Sequence, residues 1–326
     1  MKFTEFRGNA RVKEQLVFLA ESGRLPHAII IEGDEGIGKR TLARELALNL
    51  LCRGEDKPCR KCAQCSKVMK GIHPDVYEYT APNRPAGFHV EEVRKVRDDA
   101  FMRPNEADYK IYILGNAQSM NASAQNALLK VLEEPPEYAV FILTVTNKSF
   151  MLETVLSRSV VISLEGVSPA EAADVICEKR EDVSYEEALS AAEVWGGNIG
   201  KALESLTDGK LSKISTLAEK IALSTLAETE YELLKACSAF DRDRETMVAA
   251  LGMLSVIFRD ALIYGEGDMM SGKEELALKL HSRLSRKKLL ALINACEENI
   301  KLAQGNGNNA VLMTKICYDL RRAQGR

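Results

Sequence analysis

Residues 33–41 read Gly33-Asp34-Glu35-Gly36-Ile37-Gly38-Lys39-Arg40-Thr41. The spacing is that of a phosphate loop, G-x-x-x-x-G-K-[ST], with one departure: Arg40 stands where a hydroxyl would hold Mg²⁺. The apolar run His27-Ala-Ile-Ile-Ile-Glu32 precedes it and a helical pattern over 40–51 follows. That setting suits a phosphate cradle, because glycines let backbone N–H groups turn inward and a helix amino end adds positive potential. Gly33, Gly36 and Gly38 are the candidate cradle, and Lys39 would reach the outer phosphates. Thr41 does not simply replace the missing hydroxyl, since one residue further along a helix lies about 100° around its axis. Two readings stay open on these residues: a ligand-free strand-to-helix turn, and a loop that still fits phosphate but is poor at Mg²⁺ chemistry. The second is preferred.

Outward from the loop the same order repeats. The runs 75–79, 110–114 and 139–145 are short and rich in β-branched or aromatic residues, and helical patterns over 90–101 and 122–134 separate them. A last run, Val160-Val-Ile-Ser-Leu164, closes the region. Such β-α-β repetition predicts buried parallel strands in an α/β domain with helices on both faces of the sheet.

After about Glu165 the strand patterns stop. Ser168-Pro169-Ala-Glu171 has a helix-start signature, with an N-cap hydroxyl, Pro in the first turn and an acid in a capping position. A small helical unit to about 206, broken at Gly196-Gly197-Asn198, leads into an all-helical remainder. There Leu289, Ile293, Cys296 and Ile300 share one helix face and Met313, Ile316, Cys317 and Leu320 another, with a break at 305–309 between them. The expected layout is an α/β domain over 1–165, a helical lid over 166–208 and an all-α domain over 209–326.

The chain has 326 residues, 46% hydrophobic and 28% charged, which suits two or three globular domains. A formal charge of −3 advertises no autonomous nucleic-acid binder. No apolar run reaches the length of a membrane span, and the opening MKFTEFRGNA lacks the apolar core of a signal peptide, so the cytoplasm is the expected location.

Of eight cysteines, four crowd together: Cys52, Cys59, Cys62 and Cys65. Two C-x-x-C steps sharing Cys62, with Cys52 upstream, offer four thiolates for one tetrahedral Zn²⁺. Using all four leaves no open position, so the expected site is structural; free buried thiols and a redox pair are the alternatives. Pro58, Arg60 and Lys61 keep the segment irregular and are expected to offset part of its negative charge. Cys177, Cys237, Cys296 and Cys317 lie in helical patterns as small hydrophobes.

A phosphate-loop ATPase also needs an acid at the end of a neighbouring strand. The strand over 110–114 runs into Gly115-Asn116-Ala117, where neither Gly115 nor Asn116 carries a carboxylate. Two catalytic positions are therefore missing together, which argues against turnover. The segment 121–136 reads as a helix with a polar start and a proline stop, burying Ala124, Leu128, Val131 and Leu132, with Ser123, Gln125, Asn126 and Lys130 elsewhere on it. Arg158, in Leu156-Ser157-Arg158-Ser159, reads on its own as a surface or helix-capping arginine.

Together these stretches resemble the bacterial clamp-loader branch of the AAA+ family. The resemblance runs through GRLPHAIIIEGDEGIGKRTLARELALNLLC (23–52), the cysteine cluster, HPDVYEY (73–79), NALLKVLEEPP (126–136) and LSRS (156–159), covering roughly residues 1–210. It implies a role in the pentameric loader that opens the sliding clamp and places it on primed DNA. The motor subunits of that branch, gamma and tau, carry an intact loop, an acidic pair and a lid arginine. Here Arg40, Gly115-Asn116 and Gly200 stand at those places. The implied role is therefore a rigid, non-hydrolysing stator whose partners are the gamma/tau motor subunits, the delta subunit and the clamp. In that family the arginine at the position of Arg158 enters a neighbour's ATP site as an arginine finger; Ser159 replaces the usual Cys. The helical remainder would pack into a circular collar. Retained Lys39 and glycines leave static ATP or ADP binding open. The competing functions are a working gamma/tau-like ATPase, opposed by the missing acids, and a zinc-dependent nucleic-acid-binding module, opposed by the near-neutral charge.

Overall fold

The computed structural model describes residues 1–80, 88–207, 209–227, 229–240, 244–266, 269–271, 273–303 and 308–325. The chain divides into two compact units, Met1–Gly166 and Val167–Arg326.

In the first unit the described residues form a five-stranded parallel sheet. Its strands are β1 (Ala28–Glu32), β2 (Val76–Thr80), β3 (Lys110–Gly115), β4 (Ala139–Val145) and β5 (Val160–Ser163), in the spatial order β2-β3-β4-β1-β5. The three inner strands β3, β4 and β1 are buried almost throughout, as their continuous apolar runs dictate. The edge strands β2 and β5 depart from the fully buried expectation: both are largely half-exposed, because each has a neighbour on one side only.

Side chains alternate between the two sheet faces. Ile29, Ile31, Ile111, Ile113, Val140 and Ile142 pack in one core with Leu16 of α1 (Ala10–Glu21) and with Leu42 and Leu46 of α2 (Lys39–Leu51). The four-cysteine segment and α3 (Ala63–Met69) join this layer through Cys52, Cys65 and Val68. Ala28, Ile30, Tyr112, Leu114, Phe141 and Leu143 face the opposite way. They pack against α4 (Val90–Ala100), α5 (Ala122–Glu133) and the short α6 (Glu153–Leu156). Register places Tyr77 beside Tyr112 and Tyr112 beside Phe141, and the three rings stack with centroids 5.2 and 5.1 Å apart. Each fully buried Ile, Leu or Phe contributes about 1.5–3 kcal/mol, so the two apolar faces of the sheet carry much of the unit's stability.

The second unit is helical among the described residues. α7 (Pro169–Lys179), α8 (Tyr185–Val194) and α9 (Ile199–Thr207) close on an alanine-rich core of Ala172, Ala173, Ala188, Ala191, Ala192 and Ala202, with Ile176. Ser168 caps α7 by accepting from the Glu171 N–H, as the sequence predicts. Gly197, at the break before α9, has φ 75°, and an added Cβ would lie 1.8 Å from the Val167 carbonyl oxygen, so no other residue fits there unstrained. A second core forms within α10 (Lys210–Thr225), α11 (Glu230–Cys237), α12 (Arg244–Leu262), α13 (Glu274–Arg283), α14 (Arg286–Ala303) and α15 (Asn309–Ala323). Leu289 and Cys296 of α14, and Ile316, Cys317 and Leu320 of α15, are buried in it, with Ile293, Ile300 and Met313 packed against it. Cys177 is half-buried rather than buried. Of the expected break between the last helices, 305–307 lie outside the described residues. No helix among the described residues is long and apolar enough to cross a membrane.

Candidate functional site: a phosphate loop without its metal ligands, a thiol cluster and a partly exposed arginine

The loop joins the carboxyl end of β1 to α2, where the ends of β3 and β4 also arrive. Gly33, Gly36 and Gly38 take positive φ values of 154°, 83° and 99°, and Gly38 precedes the first residue of α2. Lys39 is only 8% exposed. Its ammonium donates to the carbonyl oxygens of Gly33 at 2.5 Å and Asp34 at 2.7 Å, so it is folded back over the loop.

Arg40 does not face the loop's interior. Its Nε and Nη2 both donate to Oε1 of Glu78 on β2, at 3.1 and 2.9 Å, while Arg44, one turn further along α2, takes Oε2 at 2.9 Å. The position that should bear a Mg²⁺-binding hydroxyl is thus half of a two-arginine clamp on a sheet-edge carboxylate. Thr41 is half-buried at the next position on α2.

The missing acids are equally plain. Gly115 ends β3 beside Thr80, and Asn116 follows in the left-handed region at φ 60°, its N–H donating to Oγ1 of buried Thr144 at 3.2 Å. The carboxylate that does stand at a strand end nearby, Glu32 of β1, accepts from the Lys148 N–H and the Ser163 hydroxyl, each at 2.9 Å. Gly200, the third departure, lies in the first turn of α9.

The four predicted thiols come together. Sγ atoms of Cys52, Cys59, Cys62 and Cys65 all lie within 4.8 Å of one another. Four thiolates around one tetrahedral ion with bonds of about 2.3 Å need sulfurs about 3.8 Å apart, so the cluster fits one such ion with small adjustments. Backbone N–H groups point at the sulfurs: those of Gly54 and Cys59 reach Cys52 Sγ at 3.3 and 3.2 Å, and that of Cys62 reaches Cys59 Sγ at 3.4 Å. The N–H groups of Lys61 and Cys62 lower the Cys59 pKa to about 6. Burial alone would raise that of Cys62, but donors from Cys65 and Arg53 bring it down. Burial pushes Cys65 up. A cradle that already favours thiolate at Cys59 and Cys62 is chemically matched to a cation. Gly54 is part of it, since an added Cβ would lie 2.8 Å from Cys59 Cβ and 3.0 Å from its sulfur.

Arg60 does not balance the thiolates as expected. Its guanidinium pairs with Glu5 at 2.5 Å and with buried Glu45 of α2. Glu45 also accepts from the N–H groups of Thr4 and Glu5, so Arg60 ties the cysteine segment to the amino-terminal arm. On the other side, buried Asp75 accepts from the N–H groups of Asn105, Glu106 and Ala107 at 2.5, 2.9 and 3.0 Å. Glu106 in turn holds Lys67 of α3 at 2.6 Å, and His73 Nε2 contacts Gln64 Oε1 at 2.5 Å. Sequence reasoning did not single out Glu45, Glu78, Asp75 or Glu106, each of which works through partners fifteen or more residues away.

Arg158 follows α6, with its side chain 35% exposed. Nη2 lies 2.8 Å from Oε1 of Glu133, the last residue of α5, and Nη1 donates to Thr154 O at 2.9 Å and Ser157 Oγ at 3.2 Å. Helix α5 holds the segment before α6 as well. Gln125, expected off the buried face, is buried; its amide donates to Met120 O and Phe150 O and accepts from the Leu152 N–H at 2.7 Å.

A family model described as DNA polymerase III, delta subunit, matches residues 8–168. The delta' subunit of DNA polymerase III from Bacillus subtilis (strain 168) is 26% identical over 93% of this chain and 95% of that protein. The gamma subunit from Buchnera aphidicola subsp. Acyrthosiphon pisum (strain APS) is 36% identical over 45% of this chain. The tau subunit from Bacillus subtilis (strain 168) is 33% identical over 48% of it. The chain spans 40% of that gamma relative's length and 28% of that tau relative's.

Proposed function

We propose that this chain, which belongs to the clamp-loader family of DNA polymerase III subunits, is a stator of the delta-prime kind that does not hydrolyse ATP. It helps load the sliding clamp onto primed DNA beside gamma/tau motor subunits and the delta subunit. The observation that carries this reading is the Arg40–Glu78 ion pair at the metal-hydroxyl position, together with Gly115 and Asn116 where the acids belong. Phosphoryl transfer from ATP depends on Mg²⁺ and on a positioned water, and here Arg40 brings no hydroxyl directly after Lys39 and Gly115-Asn116 bring no carboxylate to the end of β3. The retained glycines and Lys39 then serve the fold of the strand-to-helix turn.

Arg158 is the residue we assign to a neighbour's chemistry. A guanidinium presented at a subunit edge can stabilise charge on a phosphoryl group in transfer, which is worth a large factor in rate. The thiol cluster Cys52, Cys59, Cys62 and Cys65 is proposed to hold a structural Zn²⁺ that fixes the segment between α2 and α3. Residues 166–208 are proposed as the lid and 209–326 as the collar through which the chain assembles.

The experiment is reconstitution of a loader from motor subunits and the delta subunit, with and without this chain. DNA-stimulated ATP hydrolysis should rise when the chain is added and lose that rise with Arg158→Ala, while the complex still assembles. An unchanged rate with Arg158→Ala contradicts the finger assignment.

A further inference from the structure

We infer that Glu133 is a positioning residue for Arg158: its carboxylate holds the guanidinium in the orientation from which it acts in trans. This rests on the reading of Arg158 proposed above. The two side chains approach from different elements, Glu133 from the last position of α5 and Arg158 from the turn after α6. Nη2 lies 2.8 Å from Glu133 Oε1, and Nη1 is held by Thr154 O and Ser157 Oγ. Both terminal nitrogens are therefore fixed, which sets the plane of the group. Among the described residues, Nε–H has no hydrogen-bond partner within the chain and is left for an incoming anion.

The pairing has a local electrostatic cause. Glu133 and Glu134 are adjacent carboxylates at the carboxyl end of α5, where the helix dipole already places negative charge. A cation is drawn there, and Arg158 supplies it. A freely rotating arginine has several long rotamers, and pinning it removes the ordering cost that would otherwise fall at the moment of binding.

The backbone of the turn does not depend on this pair. Gln125 holds Phe150 and Leu152 from the opposite end of α5, and Val155 and Leu156 pack on Leu128 and Leu132 in the same core. Loss of the Glu133 carboxylate should therefore release the guanidinium and leave the turn in place.

The test uses the whole reconstituted loader, carrying this chain as wild type, Arg158→Ala, Glu133→Ala or Glu133→Gln. Glu133→Ala should lower kcat for DNA-stimulated ATP hydrolysis about three- to tenfold, the factor that corresponds to freeing one long side chain, with KM for ATP unchanged. Glu133→Gln should be about as slow as Glu133→Ala, since the neutral amide keeps the shape of the side chain but not the charge that pairs with Nη2. A purely structural role would instead lower assembly or melting temperature and leave kcat of the assembled complex alone. If Arg158→Ala lowers the rate but Glu133→Ala does not, the positioning inference is overturned and the finger stands. If Glu133→Gln keeps the wild-type rate, positioning through the ion pair is overturned. If Arg158→Ala changes nothing, the finger reading fails and takes this inference with it.

Discussion

Arg40 Nη2, in the first turn of the helix that a nucleotide-hydrolysing loop would use for its metal, lies 2.9 Å from Oε1 of Glu78 on the edge strand β2. Arg44 shares the same carboxylate from one turn further on, so Arg40 is drawn away from the loop. The substitution is built into the packing of α2 on the sheet edge. It is also cheap to undo: Arg40 is more than half exposed, and exposed ion pairs contribute about 0–1 kcal/mol.

Arg40→Ser restores the motif residue. Its stability should stay within about 1 kcal/mol of the parent, measured by denaturant unfolding. Its ATP turnover should stay at background, because Gly115 and Asn116 still supply no carboxylate. Nor does one more substitution complete the site: a Cβ at Gly115 would meet Thr80 Oγ1 at 2.9 Å, so Gly115→Asp must also displace Thr80. Turnover by Arg40→Ser alone would show that the acids are dispensable here.

Removal of the metal is the second test. The chain purified without chelator should carry one Zn²⁺ per molecule by elemental analysis, and Cys59→Ser should lose most of it. Gly54→Ala should weaken retention as well, since its Cβ would press on Cys59. In the chelated protein the segment 52–65 should become the first site of limited proteolysis while the sheet core stays protected. A chain that never retains more than a small fraction of an equivalent would contradict a structural zinc site.

What the sequence made legible, and what it hid, follows from distance along the chain. The loop between β1 and α2, the four thiols and the strand-end Gly115-Asn116 are read from contiguous residues, because their chemistry is set by local spacing. Edge exposure of β2 and β5 was not readable, since an apolar run does not state how many neighbours it has. Glu78, Glu45 and Glu133 look like ordinary surface acids; each acquires its role from an arginine 15 to 38 residues away. Gln125 reads as lying off the apolar face of α5, because amphipathic counting assigns polar residues away from the core, yet it is buried. Its burial serves the otherwise unpaired backbone groups of Met120, Phe150 and Leu152.

Asp75 should give the protein a pH-dependent stability. Burial would raise its pKa, but the N–H groups of Asn105, Glu106 and Ala107 together outweigh that and hold it below the ordinary 3.8. A depressed folded pKa contributes stability that is present above the unfolded value and is lost as pH falls through the folded one. Asp75→Asn should cost about 2–3 kcal/mol at neutral pH, in line with loss of charge-assisted hydrogen bonds. The gap to wild type should hold down to about pH 5 and close as pH drops below 3.8. A gap independent of pH between 7 and 3 (roughly the range that spans the titration) would rule this out.

Gly197→Ala should destabilise the helical unit by more than about 2 kcal/mol, because the left-handed backbone and the contact with Val167 O act together. The readout is the denaturation midpoint of the full chain followed through Trp195. A shift below about 0.5 kcal/mol, the scale of an ordinary surface substitution, would mean that the break before α9 is looser than its geometry.

The central claim is that this chain does not turn over ATP, and steady-state phosphate release by the purified chain tests it most directly. With Mg²⁺ and ATP, release should be indistinguishable from buffer, and Lys39→Ala should change nothing. Turnover above background that Lys39→Ala abolishes would contradict the account.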